Sequence, residues 1–134
     1  MNSPRSGTSA LASSAVLALL LDVAVVMAFV VTGRGSHAEG LTVPGIAETA
    51  WPFLAALAVA WLITMAWHDP SGLRDPGLRI VFITVGVGVG IRALIGQGAP
   101  VSFIIVTALC LSAGLLGWRG VAYALRRRRE ERAG

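Results

Sequence analysis

The chain has 134 residues, 55% of them hydrophobic and only 13% charged, with a mean hydropathy of +0.75. That is one domain at most, and a composition outside the ordinary range of soluble domains. The formal charge of +4 does not point to nucleic acid, because most of it lies in one terminal run, Arg126-Arg127-Arg128-Arg129-Glu130-Glu131-Arg132. Beside a membrane helix, such a run marks the cytoplasmic side and contacts anionic lipid.

Four apolar stretches follow in chain order. Residues 1–9 are polar, contain Pro4, Arg5 and Gly7, and read as a disordered cytoplasmic tail. The first stretch is expected to form a helix over about 11–31, too long for the apolar region of a signal peptide and apolar on both sides of Asp22. Gly33 to Gly45 is a polar, glycine-rich loop. A second helix is expected over about 46–67, with Glu48 in its first turn at the positive end of the helix dipole and Pro52 early in its length. His68-Asp69-Pro70-Ser71-Gly72 ends it by turn chemistry, and Asp75-Pro76 completes the connection.

The third helix is expected over about 78–96, although its Val-Gly alternation through Gly86, Gly88 and Gly90 imitates a strand. A lone strand leaves its backbone unsatisfied in lipid, so a helix is the consistent reading, and Gly86-x-x-x-Gly90 then forms a close-packing face suited to a homo-oligomer. Gly88 and Gly90 are expected at helix contacts in the bundle or a dimer. After the turn Gly96-Gln97-Gly98-Ala99-Pro100, a fourth helix spans about 101–123 and leaves 126–134 as a basic tail. The fold class is therefore all-α, a polytopic bundle of four transmembrane helices over residues 10–125. The single cysteine, Cys110, excludes a disulfide within the chain and reads as a small packing residue.

An even number of crossings puts both termini on one side with the 68–77 loop. Arg5, Arg74, Arg79, Arg119 and the Arg126 run belong to that side, and Arg34 to the other. The positive-inside rule makes both ends cytoplasmic in a multi-pass protein of the cell membrane. Trp51 at one boundary and Trp67, Trp118 and Tyr123 at the other fit aromatic belts.

A charge at helix centre costs about 2.5–3.5 kcal/mol on insertion scales, so an intramembrane acid or base demands a partner. Asp22 and Arg92 are the two conspicuous examples. Their helices run in the same direction, offset by about 6 Å in depth, which an Arg side chain can bridge. Arg92 can equally reach outward to Glu48, His37 or Glu39. Ser14, Ala18 and Asp22 share one helical face, as do Thr84, Gly88 and Arg92, and likewise Glu48, Pro52, Ala56, Ala60 and Thr64. Arg34, Ser36, His37, Glu39, Glu48, Arg92 and Gln97 then gather at the outer end, where they form either an ion- or anion-binding vestibule or a wet loop that caps helices. His37 and His68 fall on opposite sides of the membrane, so no paired-His metal site is expected. Ser36 beside His37 lacks a nucleophile elbow, and the glycine-rich loop lacks the strand and lysine of a phosphate site. The chain is thus expected to be no enzyme and to hold no cofactor.

The chain resembles bacterial membrane proteins grouped as Domain of Unknown Function family 3054. The resemblance is carried by Leu21-Asp22-Val23, Gly33-Arg34-x-Ser36-His37, Thr49-Ala50-Trp51-Pro52-Phe53 and Ile91-Arg92-Ala93 with Gly96. It implies four membrane helices and assigns no activity. Two functions remain open: a small transporter or ion- or proton-translocating component working through Asp22 and Arg92, which with so few helices implies a homodimer, and a non-catalytic scaffold or accessory subunit that binds another membrane protein.

Overall fold

In the computed structural model, which describes residues 5–35 and 40–134 and the side chains among them from Ser14 onward, the chain is all-α. Its helices are α1 (Arg5–Gly35), α2 (Val43–Thr64), α3 (Arg79–Leu94) and α4 (Val101–Ala133). Four segments among the described residues are long and apolar enough to cross a membrane: Ser14–Gly35, Val43–Thr64, Leu73–Leu94 and Val101–Ala133.

The ends of the helices follow local chemistry. Thr42 caps α2 by accepting a hydrogen bond from the Gly45 backbone N–H at 3.1 Å, and Pro44 occupies the first turn, where its missing N–H is not needed. These signals start α2 three residues before the expected position. Its end comes earlier than expected as well, because Met65 adopts a left-handed conformation (φ 49°) and its backbone N–H returns to the Trp61 carbonyl. A short 3-10 turn at Ala66–His68 and a wide turn over Leu73–Leu78, with a cis bond between Asp75 and Pro76, lead into α3.

The outer helices exceed expectation at the terminal end of the bundle. α1 begins at Arg5, inside the segment expected as a tail, and α4 continues through 126–134 as helix. Arg and Glu are good helix formers, and Arg127 lies 3.6 Å from Glu131 one turn on. At 1.5 Å per residue the 33 residues of α4 extend about 50 Å, well beyond the roughly 30 Å hydrocarbon layer.

Each outer helix buries a narrow stripe with a four-residue period. On α1 it is Ala18, Asp22, Val26 and Val30; on α4 it is Thr107, Leu111, Leu115 and Arg119. α3 buries Ile80, Val81, Thr84 and Gly88, whereas α2 buries a broader face of Ala50, Pro52, Phe53, Ala56, Leu57, Ala60 and Trp61. Rows of this spacing are the ridges that interdigitate when helices pack. α2 packs most extensively on α3 and also contacts α1, while α4 closes the bundle against α1 and α3.

Within lipid the tails are as apolar as Leu, so close van der Waals fit rather than hydrophobic burial holds these helices together. Two glycines allow the close approach: a Cβ on Gly88 would lie 2.5 Å from Cδ1 of Phe53, and one on Gly114 would lie 2.4 Å from Cγ1 of Val25. Gly86 and Gly90 make no such contact within the bundle. Nothing in the bundle lies within 4 Å of a Cβ built on Gly86 or Gly90, which face outward from α3. Cys110, expected to pack, is also exposed, on the outer side of α4.

Candidate functional site

Asp22 is fully buried, and so is the residue that meets it, Arg119 of α4. The two form a bidentate pair: Nη1 of Arg119 donates to Oδ1 of Asp22 at 2.8 Å and Nη2 donates to Oδ2 at 2.7 Å. Parallel bonds of this kind match the fork of a guanidinium to the edge of a carboxylate. Two indoles complete the shell. Nε1 of Trp118 donates to Oδ1 and Nε1 of Trp61 donates to Oδ2, both at 2.8 Å.

A carboxylate offers about four acceptor sites, and here each oxygen takes two donors. Arg119 is held as thoroughly. Its Nε donates to the Pro70 carbonyl at 3.0 Å and Nη1 donates a further bond to the Leu115 carbonyl at 2.9 Å, while the guanidinium carbon sits 4.4 Å from the centroid of the Trp118 ring. All three transmembrane partners of Asp22 follow from helical register: Arg119 continues the buried stripe of α4, Trp118 precedes it at the stripe's edge, and Trp61 closes the last turn of the buried face of α2. The loop reaches Arg119 because Gly77 has no side chain. A Cβ there would lie 2.7 Å from the Gly72 carbonyl oxygen and 3.1 Å from Cδ of Arg119.

This arrangement corrects the expected pairing of Asp22 with Arg92. Arg92 lies at the opposite end of the bundle, where Nε donates to the Gly98 carbonyl at 3.2 Å, Nη1 donates to Oε1 of Gln97 at 3.1 Å, and the guanidinium stacks 4.3 Å from the Phe103 ring centroid. Gln97 in turn donates from Nε2 to the Glu48 carbonyl at 3.2 Å. That carbonyl is the one a helix would normally bond through residue 52, and Pro52 has no N–H to offer. Gln97 thus supplies the donor that Pro52 removes and ties the end of α3 to α2.

The remaining expected site residues divide. Glu48 is exposed and contributes its backbone carbonyl to this network. Arg34 donates from Nε to the Gly40 carbonyl at 3.2 Å and from Nη1 to Oγ1 of Thr49 at 3.0 Å, so it reaches the first turns of α2. His37, with Ser36 and Glu39, lies outside the described residues. Among the described residues no group of three His, Cys, Asp or Glu side chains comes together.

Sequence reasoning missed Arg119, Trp61, Trp118 and Pro70. By sequence, Arg119 reads as a boundary charge and Trp118 as a member of an aromatic belt. The signal was present: Arg119 falls inside the expected fourth helix, four residues beyond Leu115 and eight beyond Leu111 on one face. Its depth from the terminal end is close to that of Asp22, because α1 and α4 run in opposite directions.

The family model described as "Protein of unknown function (DUF3054)" matches residues 19–122 of the chain. No curated protein and no solved structure matches it. The matched segment contains Asp22, Trp61, Pro70, Trp118 and Arg119 together with the Arg92 and Gln97 network.

Proposed function

Because the chain belongs to this family, whose description assigns no activity, we propose from the geometry that it is a non-catalytic membrane scaffold or accessory subunit, with no chemistry at its buried charges. The observation that carries this reading is the filled shell of Asp22. A transporter acid must release and rebind its proton or cation, and any such ligand here has to displace an indole or guanidinium donor 2.7–2.8 Å away. A fully satisfied pair instead fixes the register of α1, α2 and α4, a role for which buried polar groups are known.

The surface offered to a partner is the outward side of α3, where Phe82, Gly86, Gly90 and Leu94 are exposed at a spacing of four residues. Small residues at that spacing let a second helix approach closely, whether from another membrane protein or from a second copy of this chain. Proton flux into liposomes containing the purified protein separates the two functional classes. A scaffold is silent at any imposed pH gradient. A flux that disappears in Asp22→Asn would replace this reading with a translocating one.

We also propose that both ends of the chain are cytoplasmic and that the membrane is the cell membrane. The reading rests on charge: Arg74, Arg79 and the Arg126–Arg129 run lie at the terminal end, against Arg34 and Arg92 at the other. Removing the buried Arg119 from that balance leaves its sign unchanged. Reporter fusions after Gly40 and after Gly134 are expected in opposite compartments, with the second cytoplasmic; the same compartment for both would refute the topology.

A further inference from the structure

At the terminal end, α1 and α4 leave a groove of about 440 Å³ that is open along one side. α1 lines it with Ser14, Leu17, Ala18 and Leu21, and α4 with Trp118, Val121, Ala122, Leu125 and Arg126. Each set recurs at three- and four-residue steps, so the groove runs parallel to both helices rather than across them. Its walls are apolar and open to the surroundings, with Leu17, Val121 and Leu125 each more than half exposed. Its mouth is polar, where the 70–71 loop crosses and Arg126 donates a hydrogen bond to Oγ of Ser71.

Arg126 is bonded to a hydroxyl and not to an acid, unlike the ion-paired Arg79 and Arg127. Arg79 pairs with Asp75 and Arg127 with Glu131. The partner of Arg126 is a neutral hydroxyl, which accepts from the guanidinium and keeps its own O–H to donate. The segment from Arg126 to Arg132 holds five arginines against two glutamates, so the field at the groove mouth is positive.

We propose that this groove is a binding site for an anionic phospholipid, with one acyl chain along Leu17, Leu21, Val121 and Leu125 and the phosphate at Arg126 and Ser71. The apolar length calls for a hydrocarbon chain, and the guanidinium beside a hydroxyl donor calls for a phosphate oxygen. The lipid must carry net negative charge, because the surrounding arginines repel the cationic group of a zwitterionic headgroup. A soluble phosphate satisfies the mouth alone and leaves the apolar walls without an occupant. The site lies in the leaflet next to the chain ends and does not depend on which compartment those ends face.

Native mass spectrometry of the full chain released from detergent, with phosphatidylglycerol and phosphatidylcholine of identical acyl chains supplied in equal amounts, tests the proposal. The wild type is expected to retain one phosphatidylglycerol in preference to phosphatidylcholine, and added inorganic phosphate is expected not to displace it. Arg126→Gln is expected to lower that retention about fivefold, the effect of one arginine at a lipid surface. Val121→Trp, which fills the groove without changing charge, is expected to abolish it, and both positions are exposed, so neither change threatens the fold. Arg128→Gln removes the same charge two residues away and is expected to retain the lipid. Equal losses in Arg126→Gln and Arg128→Gln would mean a diffuse electrostatic effect and overturn the site. So would retention of phosphatidylcholine equal to that of phosphatidylglycerol, or an undiminished lipid signal in Val121→Trp.

Discussion

Arg119→Gln is expected to lower the unfolding free energy of the detergent-solubilised protein by about 3–5 kcal/mol, the range for removing one partner of a buried charge pair. The change strands Asp22, which is fully buried and would keep only the two indole donors. It also removes the side-chain donor to the Pro70 carbonyl in the loop. Ordinary hydrogen bonds between membrane helices are worth about 1 kcal/mol or less, since polar groups also find partners in the membrane-embedded unfolded chain. A full charge in hydrocarbon has no such recourse, which is why the larger figure applies. Asp22→Asn leaves Arg119 charged and half-paired, and is expected to cost a comparable amount.

The two changes together are expected to cost less than the sum of the single ones, by about 2 kcal/mol or more, because neither then leaves a buried charge. Equilibrium unfolding in mixed detergent over the double-mutant cycle measures that coupling. The matching cycle between Asp22 and Arg92 is expected to be additive within about 0.5 kcal/mol, as for distant sites with no shared partner. Additivity in the first cycle, or strong coupling in the second, would contradict the pairing described above.

Gly88→Leu is expected to destabilise the bundle by about 3 kcal/mol or more, at or beyond the upper part of the range for overpacking a core. Even the Cβ of alanine would fall 2.5 Å from Cδ1 and 2.7 Å from Cε1 of Phe53. The ring has nowhere to retreat, because Phe29 meets it edge-on at 5.7 Å between centroids and Phe103 lies against it at 6.2 Å. Relief therefore requires α3 to move away from α2, the most extensive helix contact in the fold. Gly86→Leu and Gly90→Leu, on the outward side of the same helix, are expected to change stability by no more than about 0.5 kcal/mol under conditions where the protein is monomeric. Thermal unfolding of the three variants in dilute detergent distinguishes the two faces. Similar melting curves for Gly88→Leu and Gly86→Leu would mean that Phe53 does not seat on Gly88.

The tally of spans and their approximate limits were legible in the sequence because they depend on local quantities. About 20 apolar residues cross a bilayer, and backbone groups within it must bond internally, so each apolar stretch had only one available conformation. The same locality explains why Asp22 stood out: a carboxylate is conspicuous among Leu and Val. The helix ends were less legible. The left-handed Met65 that stops α2 and the arginines that prolong α4 are ordinary residues whose role depends on what the adjoining turns do.

The partner of Asp22 was decided by the tertiary structure alone. Depth along the chain admitted Arg92 on a parallel neighbour and Arg119 on an antiparallel one, and nothing local distinguishes them. The choice belongs to the rotation of four helices about their axes. Stripes of four-residue period turn Arg119 and Trp118 toward α1 and set Trp61 beside them, while the turn at Gln97 and Gly98 draws Arg92 to the other end of the bundle. The glycines of α3 illustrate the same division. Gly86, Gly88 and Gly90 are equivalent by composition, but residues two apart on a helix point about 200° apart. Packing against Phe53 could therefore bury Gly88 only by leaving the other two facing outward.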